Sequence, residues 1–259
     1  MAIRTGFSAA ARAWPLPTSA RSSDDGASVL TLLAFDTAQG ALSAAIIGDE
    51  GVLAHRFELR TRGHAENLMP VLEAVMAEAG VTFADLDALA VTVGPGTFTG
   101  LRVGLAAARG LALARTLPLV GVTTLEALAE PVGAEPVERI AAAFDAKRGE
   151  IYFQIFNARH AALSEPMLVS VEEAADHLQA GPVVCVGTGA GLLAAALAAR
   201  GVQARLSDAP AQPDARSVAR IAAARLAADG VAAFRTAPAP LYLRAPDAKL
   251  PGGIDPFAA

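Results

Sequence analysis

The sequence predicts an α/β fold made of two similar halves, and three features point to it. An apolar strand, Ala88 to Val93, enters the tight turn Gly94-Pro95-Gly96 and leaves it as an apolar helix. Each half opens on a strand hairpin that carries an acid at its turn, Asp36 in the first and Asp145 in the second. The helix breakers Pro131, Gly133 and Pro136 fall between the two patterns and mark a boundary.

In chain order, Val29 to Phe35 is a β-type apolar run that ends at Asp36. Ala41 to Ile47 and Val52 to Leu59 follow as strands, joined by Gly48-Asp49-Glu50-Gly51, a strong hairpin signal. Ala65, Leu68, Met69, Leu72, Val75, Met76 and Ala79 then recur at three- and four-residue spacing, which predicts a helix with one apolar stripe. Pro70 lies inside it and removes a backbone hydrogen bond, so a kink or a late start near Leu68 is expected; Gly80 closes the helix. Strand 88–93, helix 99–116 and strand 119–122 complete the first half, residues 29–130. In the second half, residues 139–253, Arg139 to Phe144 and Ile151 to Phe156 pair through the turn Asp145-Ala146-Lys147-Arg148-Gly149. A short helix from Val171 to Leu178 leads to strand Val183 to Val186, the turn Gly187-Thr188-Gly189, and an alanine-rich helix to Arg200. A last helix spans about residues 215–228, and the tail from Pro240 through Tyr242, Leu243 and Arg244 to Gly253 is expected to be extended.

Residues 1–28 show no apolar period, and Arg12 with the Pro15–Pro17 pair interrupts any secretory signal core. They are expected to be a disordered extension, or to lie upstream of the true start of translation. A chain of 259 residues that is 53% hydrophobic can bury one large core or two smaller ones. Much of that content is alanine, which predicts close helix packing. The net charge of −5 argues against nucleic-acid binding by the chain alone, which usually needs a basic face. The single cysteine, Cys185, sits in an apolar run and reads as a small buried hydrophobe, which excludes a disulfide framework and fits a reducing cytoplasm. The most apolar stretch, Leu101 to Leu119, is interrupted by Arg102, Arg109 and Arg115 and does not read as a membrane span.

Gly94 and Gly96 can take positive φ, Pro95 presets the turn, and Thr97 or Thr99 can cap the helix that follows. Bare N–H groups at a helix start attract anions. The glycine spacing is not that of a phosphate loop, however, and no Lys-Ser/Thr pair follows Gly100. A tight strand-to-helix connection is the plainer reading. The helix is apolar on every face apart from its three arginines, so it must be covered on more than one side. Either it is central to one large core or a partner protein finishes its outer face, and we expect the partner. The expected surface is the helix pair 64–80 and 99–116. His64, Leu68, Leu72 and Met76 represent the first helix; Gly100, Leu101, Arg102, Gly104, Ala108 and Leu111 represent the second.

Other chemistry finds few candidates. No two of the four histidines are spaced to hold a metal on one helical face. His64 reads as a capping or contact residue, and His55, His160 and His177 as solvated. No Gly-x-Ser-x-Gly elbow is present, and Cys185 has no polar neighbour in sequence, so a nucleophile is missing. Asp145 and Glu150 could form a carboxylate pair, although hairpin surface charge accounts for them more simply.

Five segments, in order over about residues 29–253, resemble the TsaB family, also called YeaZ, of bacterial tRNA threonylcarbamoyladenosine synthesis. They are Leu33-Ala34-Phe35-Asp36-Thr37-Ala38, the run from Gly94 to Gly104, Gly121-Val122-Thr123-Thr124-Leu125, the run from Asp145 to Tyr152, and Tyr242-Leu243-Arg244. The Gly-Pro-Gly-Thr-Phe-Thr-Gly stretch is the specific part of the match. The resemblance implies a duplicated actin/Hsp70/sugar-kinase (ASKHA, RNase H-like) fold and a non-catalytic, cytoplasmic dimerization subunit. It implies pairing with the catalytic paralogue TsaD, which moves a threonylcarbamoyl group onto N6 of the adenosine next to the anticodon. The ATPase TsaE would join that pair, and tRNA would be reached only through the complex. No cofactor or metal is expected. An ATPase of this fold needs a glycine-rich loop after its first Asp, whereas Asp36 is followed by Thr37, Ala38 and Gln39 before Gly40; the paralogue's His-x-x-x-His metal pair is also missing. The competing expectation is an ATP-binding, kinase-like or glycopeptidase-like enzyme of the same fold. A homodimer using the same helices is a further state of the chain.

Overall fold

A computed structural model describes residues 30–179 and 181–244. The expected extension 1–28 and the tail beyond Arg244 lie outside the described residues. The first half contains β1 (Leu32–Asp36), β2 (Ala41–Gly48), β3 (Gly51–Leu59), α1 (His64–Ala79), β4 (Ala88–Gly94), α2 (Phe98–Arg115), β5 (Leu119–Thr123) and α3 (Thr124–Ala129). The second contains β6 (Arg139–Lys147), β7 (Glu150–Asn157), β8 (Met167–Ser170), α4 (Val171–Asp176), β9 (Val183–Val186), α5 (Ala190–Ala199), β10 (Ala204–Leu206) and α6 (Ala215–Asp229).

The duplication is complete at the level of topology. The first sheet has the order β3-β2-β1-β4-β5 and the second, read the same way, β8-β7-β6-β9-β10. In each, the first three strands pair antiparallel and the last two add in parallel. Both sheets are covered on two faces, so their central strands are almost continuously apolar. Along β1, Leu33 and Phe35 face α1 and α2, while Leu32 and Ala34 face α6. In β6, Ala141 and Ala143 face α4 and α5, while Ile140, Ala142 and Phe144 face α3. The two crossing helices are exchanged: α3 follows the first sheet but packs on the second, and α6 follows the second sheet but packs on the first. The breakers at 131–136 lie in the loop between α3 and β6, so α3 belongs by packing to the half after the boundary.

Three of these elements were not expected from the sequence: β8, β10 and α3, of four, three and six residues. Of the two expectations for α1, the late start near Leu68 is corrected. The helix starts at His64 and continues with Pro70 inside, because Gly63 takes the left-handed conformation and its carbonyl accepts from both the backbone and the side-chain N–H of Asn67. Of the two proposed caps of α2, Thr97 is the one used; its Oγ1 accepts from Gly100 N–H at 3.2 Å.

Phe144 is fully buried in the inner core of the second half, in one cluster with Leu125 and Leu128 of α3. Phe144→Ala is expected to cost roughly 3–5 kcal/mol through lost burial and an unfilled cavity, measured by urea unfolding. Leu163→Ala, at a half-exposed position, should change stability by less than about 0.5 kcal/mol.

Candidate functional site

Open α/β sheets hold ligands outside the carboxyl ends of their parallel strands. Here that region joins the ends of β1 and β4 to the β6–β7 hairpin. Asp36 closes β1 and is fully buried. Its Oδ1 accepts from the Thr92 hydroxyl at 2.5 Å and from Ala38 N–H at 3.1 Å, and its Oδ2 has no hydrogen-bond partner among the described residues. Burial pushes this carboxyl up to about 7 against the two hydrogen bonds, and the nearby charge of Asp214 acts in the same direction as burial. Asp145 occupies the equivalent place at the end of β6 and makes the same turn, with Oδ1 accepting from Lys147 N–H at 2.8 Å. It is more open to solvent, and the Lys147 ammonium 2.6 Å from Oδ2 holds it below the usual carboxylate range.

The glycine turn between β4 and α2 serves close packing. A Cβ on Gly96 would lie 2.5 Å from the carbonyl oxygen of Ala38, and one on Gly100 would overlap that of Thr37. Thr97 N–H donates to Ala38 O at 2.8 Å, and the Thr37 hydroxyl donates to Gly100 O at 2.7 Å. An anion at this helix start would therefore meet two carbonyl oxygens. The strand-to-helix connection is tight because the β1–β2 turn is pressed into it.

A second buried acid lies near Asp36 and the β1–β2 turn. Asp214 caps α6, accepting from Arg216 N–H at 2.8 Å, and its Oδ1 lies 3.0 Å from His55 Nε2. Burial opposes ionisation of Asp214, but His55 and Arg216 hold it well below the usual carboxylate range. Beside it, Gly40 N–H donates to the Gln212 side chain at 3.0 Å. A cavity of about 30 Å³ remains, lined by Gln212, Asp214, Ser217 and Arg220, the scale of one water molecule. An Asp just before a helical stretch was the available signal for this cap.

Two sequence readings are corrected here. Of the three histidines expected to be solvated, His160 and His177 are exposed, whereas His55 is half-buried beside Asp214. Hairpin charge accounts for Asp145 and Glu150, which pair with Lys147 and Arg244 and not with each other. The second correction concerns the proposed partner residues. Leu68, Leu72, Met76 and Ala108 belong to the first half's own core, and Leu101 is buried beside Gly94, with Gly100 and Gly104 on the same inward face of α2. The face left to solvent carries Arg102, Ala106, Arg109, Gly110 and Leu113 of α2 and Ala65 and Met69 of α1. Leu113 is 83% exposed, the highest value for a large hydrophobic among the described residues. His64, whose Nε2 lies 3.1 Å from Ala41 O, and Leu111 are half-buried at its margin. Among the described residues, no group of three or more His, Cys, Asp or Glu is placed to hold a metal ion. None of the described helices is long and apolar enough to cross a membrane.

Two interlocked halves of equal topology, each with an acid at the end of its first strand, define a duplicated ASKHA-like fold. Residues 52–251 match the family described as TsaD: tRNA N6-adenosine threonylcarbamoyltransferase. The tRNA threonylcarbamoyladenosine biosynthesis protein TsaB of Escherichia coli is 41% identical over 125 residues, 48% of this chain and 54% of that protein. The Haemophilus influenzae protein of the same name is 36% identical over 174 residues, 62% of this chain and 72% of that one. YeaZ from Pseudomonas aeruginosa superposes with a TM-score of 0.69 at 30% identity, over 83% of this chain and all of that one. The chain belongs to this family, in its TsaB/YeaZ branch.

The burial of Asp36 gives a pH signature. Between its ordinary value near 3.8 and about 7 the folded chain keeps a proton here that the unfolded chain has released. The stability this group contributes is therefore full below that window and is lost as pH rises through it, at about 1.4 kcal/mol per pH unit. Asp36→Asn keeps an acceptor for Thr92 and Ala38 but does not titrate. Its stability relative to the parent chain should rise across the window in urea unfolding; a constant difference would mean that Asp36 ionises normally. A chelator is expected to leave the melting temperature unchanged, since a bound metal would stabilise the folded chain by mass action.

Proposed function

We propose that this chain serves tRNA threonylcarbamoyladenosine synthesis as a non-catalytic subunit that pairs with a TsaD protein through the outer face of α1 and α2. The names of its relatives and the description of its family support the pathway. One observation carries the non-catalytic part: the glycine turn, which in a nucleotide-binding site would present N–H groups to phosphate, faces the carbonyl oxygens of Thr37 and Ala38. Asp36 is sealed behind that contact. TsaE as a third component, contact with tRNA only through the complex, and a cytoplasmic location belong to the same reading.

The outer face of α2 supports pairing by what its residues cost the free chain. Gly110 lies inside the helix with nothing among the described residues within 4 Å of where a Cβ would be, so none of their contacts requires it. An exposed mid-helix glycine costs roughly 1 kcal/mol relative to alanine. Ala106 and the exposed Leu113 lie on the same face, and a groove of about 320 Å³ lined by Arg109, Leu113 and Leu117 continues it toward the end of the helix. A closely approaching helix of a partner with the same architecture fits such a strip.

Gly110→Ala should stabilise the free chain by roughly 0.5–1 kcal/mol. Gly110→Leu and Leu113→Asp should leave it folded and weaken binding to the cognate TsaD by roughly 2 kcal/mol, about 30-fold, in titration calorimetry. Ala108→Leu, by contrast, should lower the stability of the free chain by roughly 1–3 kcal/mol through overpacking. Unchanged affinity in both outer-face variants would move the interface elsewhere. Micromolar ATP binding with turnover lost in Asp36→Asn would overturn the non-catalytic reading in favour of an enzyme.

A further inference from the structure

The last described stretch runs antiparallel along α2 and then leaves the first half. Arg235 donates to Thr116 O at 3.2 Å at the end of the helix, Arg109 donates to Pro238 O at 2.6 Å at its middle, and the Tyr242 ring stands 5.5 Å from that of Phe98 at its start. Two glycines of the sheet make room for it. A Cβ on Gly121 would lie 2.7 Å from Pro238, and one on Gly94 would lie 2.6 Å from the carbonyl oxygen of Leu241. Leu241 N–H in turn donates to Val93 O at 2.7 Å. Two residues further on the segment is in the second half. Leu243 packs against the core that contains Phe144 and Tyr152, and Arg244 donates to Ala146 O at 2.8 Å and pairs with Glu150 across the β6–β7 hairpin.

Among the described residues the chain passes between the halves at α3, at α6 and here. The helices α3 and α6 cross beneath the inner faces of the sheets. This third passage crosses the carboxyl ends of β4 and β6, the side on which open α/β sheets take ligands. We propose that residues 238–244 form a clasp that fastens the two halves across the mouth of the cleft and fills the space through which a cleft ligand would enter. Its anchor in the first half is the backbone pairing at Val93 and Gly94, and its anchor in the second is Leu243 with the Arg244–Glu150 pair. The Gly94 and Gly121 positions have a role in this arrangement that a strand-to-helix turn alone does not require.

The test uses the full-length chain and backbone hydrogen exchange. Arg244→Glu places two carboxylates together at the second anchor. It should speed exchange of the Thr37, Ala38, Gln39 and Gly40 amides roughly tenfold, since loosening an anchor raises the population of the locally open state. The amides inside β2 and β7 should not change. The exchanged pair Arg244→Glu with Glu150→Arg should return the turn to its original rate. Unchanged exchange at the turn in Arg244→Glu would overturn the proposal. So would an equal acceleration throughout both halves, which would mean general destabilisation. If Arg244→Glu fails to fold, Tyr242→Ala removes the ring contact with Phe98 at an exposed position, and the same two outcomes decide.

Discussion

The architecture of the cleft depends on how closely the β1–β2 turn approaches the start of α2. Gly96, Gly100 and Gly104 are spaced four residues apart, so on the helix and its lead-in they form one strip. Against that strip lie the carbonyl oxygens of Ala38 and Thr37 and the Thr37 hydroxyl, each too near to admit a Cβ. With any other residue at these positions the turn would have to lift away. Its approach seals Asp36, which then exchanges the hydration of a carboxylate for two hydrogen bonds and one unpartnered oxygen. Burial at this cost favours the neutral acid near pH 7. The contact thus removes an anion-binding helix start and a freely ionised carboxylate together.

The two halves share a topology and have diverged at this contact. Gly187 and Gly189 stand where Gly94 and Gly96 stand, and a Cβ on Gly187 would overlap Ala143 O. Asp145 repeats the turn of Asp36. At the tip of the β6–β7 hairpin, however, Lys147 and Arg148 both take positive φ, and Asp145 remains partly solvated and paired with Lys147. The first half folds its acid inward under α2; the second leaves its acid at a hairpin edge.

Much of the fold was legible because both sheets are covered on two faces. Unbroken apolar runs such as those of β1, β4 and β9 announce central strands, and the repeated hairpin with its acid announced the duplication. The elements that escaped are short or half-exposed: β10 keeps only three residues, and β8 alternates weakly. The helix α3 did carry a readable signal, the Thr123-to-Glu126 capping box, in which each side chain accepts from the other's backbone N–H. The path of residues 235–244 had none, since its contacts are made by distant glycines. The orientation of α2 was the hardest matter. Composition revealed that the helix needs cover on two sides, but alanine and glycine differ too little in hydropathy for periodicity to say which side is which. Leu101, Leu105 and Ala108 went inward, and Leu113 did not.

The glycines of α2 separate its two faces in a way that hydrophobicity cannot. All three glycines within the helix weaken it by roughly 1 kcal/mol each relative to alanine. For Gly100 and Gly104 the loss is offset inside the chain, because only glycine lets Thr37 come as near as it does. Gly110 has no such neighbour, faces solvent, and follows Arg109, which is engaged by the carbonyl of Pro238. Among the described residues nothing offsets its cost. Small residues on an outer helical face acquire a packing use when another backbone comes close, as glycines 100 and 104 already do for the β1–β2 turn. One helix thus carries the same device on two faces: on its inner face it serves a turn of its own chain, and on its outer face it stands without a neighbour among the described residues.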